Sequence, residues 1–465
     1  MTNGNKNNLL EGNLYRSIIK LGLPLALASV LHTFYNLADT FWLGRLGRQT
    51  LSAPIISFNI IFFIISLAIG FSIAGTSMVS QFTGAGDARR ANKSAGNLLL
   101  FLLVFSLIFA ALGLIFDREL LIILKTPGDT FDLTLDYLRI IMLGMPLAFP
   151  FFVYQSVLSG YGDTVSPLKI EAISAVINLI LDPILIFGWL GLPAMGVKGA
   201  ALTTVITRGL ASVIGVYHFF SGKKGVHLKL SHLIPDLKIL RTMVKIGIPS
   251  AIGMAGASLG FMVLIGIVNQ FGTSVISAYG IASRLTHLFM MPAIGVSSAV
   301  TAIVGQNIGA GNMDRAKNTV KKGIFLILTV TVPAMILVSF WGKHITYLFI
   351  PSDPLVHQIG QTMFYFVCPA VIFFALSAVI SGAFKGSGFT FPVMVMDLSR
   401  IWIFRIPLVY IISFMVFNGP PNLNASVGIW MGMLFSNFFA FLTIQIWYLR
   451  GKWLKVQVVE RNLTK

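Results

Sequence analysis

Apolar blocks of roughly 20 to 30 residues recur along the whole chain, each long enough to cross a hydrocarbon core about 30 Å thick as a helix. No other feature limits the fold so tightly. The blocks fall near 15–44, 51–82, 94–116, 131–159, 165–189, 197–220, 237–271, 275–308, 317–341, 355–384, 390–417 and 425–449, separated by polar residues or by Gly and Pro. They predict an all-α polytopic membrane protein with twelve transmembrane helices. Composition agrees, since 56% of the residues are hydrophobic and 11% charged, against about 25% charged in soluble domains. The polar stretch from Met1 to Asn13 has no apolar core ending in a small-residue cleavage site. No removable signal is expected, and the first block reads as a true span.

On a soluble chain a net charge of +18 would suggest nucleic acid; on a membrane protein the question is on which side the basic residues fall. With the N-terminus in the cytoplasm, 23 of the 34 Lys and Arg residues lie in inner segments and 6 in outer ones. That bias predicts cytoplasmic N- and C-termini in a plasma or inner membrane, and no nucleic-acid partner. The single cysteine, Cys368, sits in an apolar run, which excludes an intramolecular disulfide and a multi-cysteine metal site.

The chain repeats itself at an offset of 225 residues. Ile19-Lys20-Leu21-Gly22-Leu23-Pro24 answers to Val244-Lys245-Ile246-Gly247-Ile248-Pro249, and Gln81, Gly84, Ala85, Gly86, Arg90 and Ala91 answer to Gln306, Gly309, Ala310, Gly311, Arg315 and Ala316. Six spans per repeat give both halves the same orientation. Two six-helix lobes, 1–225 and 226–465, are therefore expected, related by a pseudo-twofold axis along the membrane normal, with 221–236 as the linker.

Ionisable side chains inside apolar spans are expensive and usually functional. Asp39 in the first span and Asp182 in the fifth lie at similar depth. His32, Tyr35, Asn36 and Asp39 follow an i, i+3, i+4, i+7 spacing, and Glu171, Ser174, Asn178 and Asp182 share one face of the fifth span. The plain alternatives are a helix-end aspartate near Arg45, a kink residue before Pro183, and a solvated Glu171 beside Lys169. Neither carboxylate repeats in the second half, where the equivalent positions are Leu264 and Pro407. Arg139, Arg208, Arg284, Arg400 and Arg405 lie in spans without a nearby acid, apart from Asp397 three residues before Arg400. Pro24 in the first span and Pro249 in the seventh each remove a backbone donor, so both helices are expected to bend there, as a static kink or as a hinge. There is no Walker A motif and no HExxH, so neither an ATP-driven pump nor an enzyme is expected.

The run from Tyr35 to Gly44, Gly160 to Pro167 with its G-x-G-D-T core, Asn178-Leu179-Ile180-Leu181-Asp182-Pro183, and Gly196 to Thr204 together resemble the multidrug and toxic compound extrusion (MATE) transporters, in particular the prokaryotic DNA-damage-inducible type. The resemblance covers the chain from the first span to the twelfth. It implies an ion site at Asp39, Asn178, Asp182 and Thr204, with Thr203 adjacent, taking H⁺ or Na⁺ as the coupling ion. It implies substrate-facing tyrosines at Tyr35 and Tyr137, and a bending proline at Pro24. The expected substrate cavity comprises His32, Tyr35, Asn36, Tyr137, Gln155 and Asn178, with no cofactor and no structural metal. The expected activity is antiport of cationic or amphiphilic drugs by a monomer in contact with membrane lipid. A flippase for lipid-linked substrates is the alternative, kept open by Arg139, Arg208 and Arg284.

Overall fold

The computed structural model describes residues 9–351, 353–420, 422–455 and 458, except the side chains of Asn36 and Leu423. Among the described residues there is no strand, and twelve helices are long and apolar enough to span a membrane. They are α1 (Leu14–Gly44), α2 (Arg48–Gly84), α3 (Ala88–Ile115), α4 (Gly128–Tyr161), α5 (Val165–Phe187), α6 (Val197–Ser221), α7 (Leu237–Phe271), α8 (Thr273–Ala310), α9 (Met313–Phe349), α10 (Pro354–Ser387), α11 (Phe391–Val416) and α12 (Asn424–Leu449). Each apolar block of the sequence falls on one of them. In hydrocarbon the backbone must satisfy its own hydrogen bonds, which is why long helices are the outcome.

Polar residues mark where helices begin. Asp87 accepts from the Arg90 N–H at 2.8 Å to start α3. Asp353 accepts from Leu355 and Val356 at the head of α10, with Pro354 in the first turn. Gly162, at φ 104°, ends α4 in the left-handed region that side chains avoid. Two features were not legible in the sequence: a short helix at Asp117–Ile123, and π-helical turns in α11 at Ser399–Arg405 and Ile411–Val416.

Among the described residues the chain divides into two compact units, the first Leu27–Ile248, the second running from Pro249 on together with residues 9–26. Helix α1 thus changes unit two residues past Pro24, and α7 changes unit at Pro249. In the second unit, Leu14, Ile18 and Leu21 of α1 share one buried cluster with Val300 of α8, Ile327 of α9, Phe384 of α10 and Ile444 of α12. Gly22 lies so close to α8 that a Cβ there would be 3.1 Å from the Gly295 carbonyl oxygen. In the first unit, Gly247 of α7 packs on Phe71 of α2, whose Cα would be 3.3 Å from an added Cβ.

The repeat seen in the sequence recurs in this packing. A Cβ on Gly160 of α4 would lie 2.7 Å from the Thr76 carbonyl oxygen and 3.2 Å from the Ser80 nitrogen of α2. Gly386 of α10 stands in the same relation to Thr301 and Gly305 of α8, at 2.5 and 3.1 Å. Only glycine permits such close backbone crossings.

Candidate ion and substrate site in the first unit

Polar positions on α1, α5 and α6 face one another in three successive levels within the first unit. At the level nearest the Gly44 end of α1, Asp39 borders Asp182 and Asn178 of α5 and Thr204 of α6. The Thr204 hydroxyl donates to Asp39 Oδ2 at 3.3 Å. Thr203 stands beside Asp182 while its own hydroxyl donates to the Gly199 carbonyl at 3.0 Å. Asp182 and Asn178 are fully buried and Asp39 is 8% exposed. Asp39 Oδ1, both carboxylate oxygens of Asp182 and both amide atoms of Asn178 are nevertheless buried without a hydrogen bond.

One level along α1, the Tyr35 hydroxyl and the Thr207 hydroxyl hydrogen-bond at 2.8 Å, and Ser174 of α5 donates to the Thr207 carbonyl at 3.0 Å. A further turn along, Arg208 Nη1 donates to both oxygens of Glu171 at 2.8 and 3.0 Å. His32 is within electrostatic reach of both. Helix geometry sets this order: residues three and four apart share a face, so His32, Tyr35 and Asp39 on α1 meet Arg208, Thr207 and Thr204 on α6, and Glu171, Ser174 and Asn178 on α5.

Tyr137 of α4 is 7% exposed and interacts with Asp39, Asp182 and Tyr35, so it closes the first level. Gln155 does not join it; the two are 18 residues apart on one helix, about 27 Å at the helical rise. The side chain of Asn36 lies outside the described residues. Pro24 lies inside an uninterrupted α1.

Two sequence expectations need correction. Glu171 pairs with Arg208, not Lys169, and Arg208 therefore does have an acidic partner. Arg139 likewise bonds Asp117, which the short helix after α3 carries. Both partners lie on other helices, where helix periodicity gives no guide. Thr203 and Thr207 were also underweighted, although their spacing with Thr204 and Arg208 already outlines a polar face.

Two buried carboxylates with unfilled hydrogen-bonding capacity bring strong negative charge into an apolar bundle. Beside them Glu171 and Arg208 cancel each other, so the negative charge of this first level is not offset within the pair. Two carboxyls, one amide and two hydroxyls form an oxygen-rich set suited to a proton or a small hard cation.

The fold defines a polytopic helical membrane protein. The MatE family model matches residues 24–184 and again residues 249–411, and the chain belongs to that family. The two matches begin 225 residues apart, at the offset of the internal repeat. The chain is 28% identical over 444 residues to "Probable multidrug resistance protein YpnP" of Bacillus subtilis (strain 168), covering 95% of this chain and 96% of that protein. It is 27% identical over 450 residues to "Probable multidrug resistance protein NorM" of Thermotoga maritima, covering 97% and 95%. Among solved structures, "Outward-facing conformation of a multidrug resistance MATE family transporter of the MOP superfamily" superposes with a TM-score of 0.88 at 23% identity, covering 98% of this chain and all of that one.

Proposed function

We propose that the protein is a secondary antiporter that exports cationic or amphiphilic drugs in exchange for inward H⁺ or Na⁺. The observation that carries this reading is the buried juxtaposition of Asp39 and Asp182 with polar atoms left unbonded. The multidrug-resistance names of the relatives support the substrate class. Both termini are placed in the cytoplasm, and the protein acts as a monomer in the plasma or inner membrane.

Two facing carboxylates in a desolvated bundle attract either a proton or a cation. When the coupling ion binds at Asp39, Asn178, Asp182 and Thr204, the negative charge that held a cationic drug is cancelled. The drug, resting on Tyr35 and Tyr137, then loses its counter-charge and leaves outward. Bending of α1 at Pro24, where the backbone bond to Lys20 is missing, lets the cavity contract. Loss of the ion to the cytoplasm restores the anionic site. The pairing of Arg139 with Asp117 and of Arg208 with Glu171 occupies two of the three cations on which the flippase alternative rests, the third being Arg284.

The test is efflux of a fluorescent cationic dye from proteoliposomes under separately imposed proton and Na⁺ gradients, with wild type, Asp39→Asn and Asp182→Asn. Gradient-driven movement lost in both variants is the expected result, and the effective gradient names the ion. Unchanged transport in both variants would overturn the site.

A further inference from the structure

The second unit carries a buried cluster of opposite sign. From Pro249 through Leu449 the acidic residues are Asp314, Asp353 and Asp397. Asp314 has its side chain 94% exposed, and Asp353 caps the start of α10. Asp397 is therefore the one acid within an apolar span of this unit. Arg400 and Lys385 border it, and Arg405 lies next to Arg400. Arg400 Nη2 lies 3.4 Å from Asp397 Oδ1. Arg400 is 9% exposed, and its Nε is buried with no hydrogen-bond partner. Arg405, 4% exposed, donates from Nε to Ser436 Oγ and from Nη2 to Asn437 Oδ1, both at 2.9 Å and both neutral acceptors. Lys385, at the end of α10, interacts with both Asp397 and Arg400. One carboxylate thus borders two positive charges, and the third, Arg405, has no acidic partner among the described residues.

The backbone itself brings the two arginines together. Residues five apart on an α-helix diverge by about 140°. Ser399–Arg405 is π-helical, and its i→i+5 hydrogen bonding turns positions 400 and 405 toward one face. The two guanidiniums lie close enough to interact. Aligning like charges in a bundle interior is costly unless an anion lies between them. Each guanidinium also rests near an aromatic ring, Arg400 at 5.3 Å from Phe374 and Arg405 at 5.6 Å from Phe261, and Arg400 Nε is left to donate to an oxygen ligand.

We propose that the π-helical turn of α11 forms an oxyanion site in which Arg400, Arg405 and Lys385 bind a phosphate group, supplied by an anionic lipid headgroup or by free inorganic phosphate. This site is separate from the carboxylate pair and does not depend on the antiport reading.

The experiment uses full-length protein in phosphatidylcholine nanodiscs. One arm measures equilibrium dialysis of radiolabelled inorganic phosphate; the other measures phosphatidylglycerol retained by protein purified from mixed-lipid membranes, read by mass spectrometry. Wild type is compared with Arg400→Gln, Lys385→Gln and, as a control of equal charge, exposed Lys343→Gln. At least tenfold weaker binding in Arg400→Gln and Lys385→Gln, with Lys343→Gln unchanged, is expected in one arm, and that arm identifies the source. If Arg400→Gln does not fold, Lys385→Gln carries the comparison. Equal binding by all four proteins, or no binding of either probe to wild type, overturns the site.

Discussion

Arg208 of α6 holds both carboxylate oxygens of Glu171 of α5 through a single nitrogen, while its guanidinium carbon lies 4.7 Å from the Tyr35 ring of α1. One buried ion pair therefore ties three helices together one and two turns from the carboxylate pair. Removing one partner leaves the other charged and desolvated, a cost of about 3–5 kcal/mol. Glu171→Gln and Arg208→Gln should each lower the unfolding temperature sharply in detergent. The double variant should recover much of that loss. A double variant as unstable as the sum of the singles would show that the pair does not act as a unit.

Among the described residues, Thr204 makes the one hydrogen bond that reaches the carboxylate pair. At 3.3 Å it is a long bond, and its removal should cost about 1 kcal/mol. Thr204→Val is expected to weaken coupling-ion affinity about fivefold, and Thr204→Ser to keep it. Transport rate against proton or Na⁺ concentration in proteoliposomes distinguishes the two variants.

Asp236 lies at the head of α7 outside the spans, accepting from the Lys238 and Ile239 N–H groups and bonded to Lys93 of α3. The Lys93 ammonium, ahead of the backbone donors, holds its carboxyl below the usual carboxylate range. A folded value below the unfolded one stabilises the protein above the unfolded value, about 3.9, and this stability is lost as pH falls through the folded value. Partial exposure limits the gain to about 1 kcal/mol. Thermal melts of Asp236→Asn should lie below wild type at neutral pH and converge with it below about pH 4.

Gly160 and Gly386 occupy equivalent crossings in the two units. Alanine at either position places a methyl group against a backbone carbonyl that a side-chain rotation cannot move. Each substitution should destabilise by about 1–3 kcal/mol, and by similar amounts. Denaturant unfolding of the two single variants tests that equivalence; a large cost at one and none at the other would break it.

The twelve helices were legible because period and length of apolar runs leave few alternatives for a chain in lipid. Asp39, Asn178 and Asp182 were legible for a related reason: a charged or amide group in such a run stands out, and helix spacing fixes its face. Arg208 and Glu171 were not, because their pairing joins positions 37 apart on different helices, and spacing within one helix says nothing about its neighbour. Gln155 illustrates the same limit in reverse, sharing a helix with Tyr137 yet lying several turns from the pair. The π-helical turns that align Arg400 with Arg405 leave no mark in the pattern of apolar residues, because the sequence there reads as an ordinary span.

The exchange of helix ends has a consequence for how such a chain arose. The turns of α1 before Leu27 are buried among helices of the second repeat, and those of α7 before Pro249 belong with the first. A six-helix ancestor standing alone would have left its leading turns uncovered. Such a polypeptide buries them by trading ends with a second copy, as in a swapped homodimer. Fusion of two copies would preserve that trade within one chain, with the glycines at 22, 247 and 295 lying at the close crossings of the traded turns.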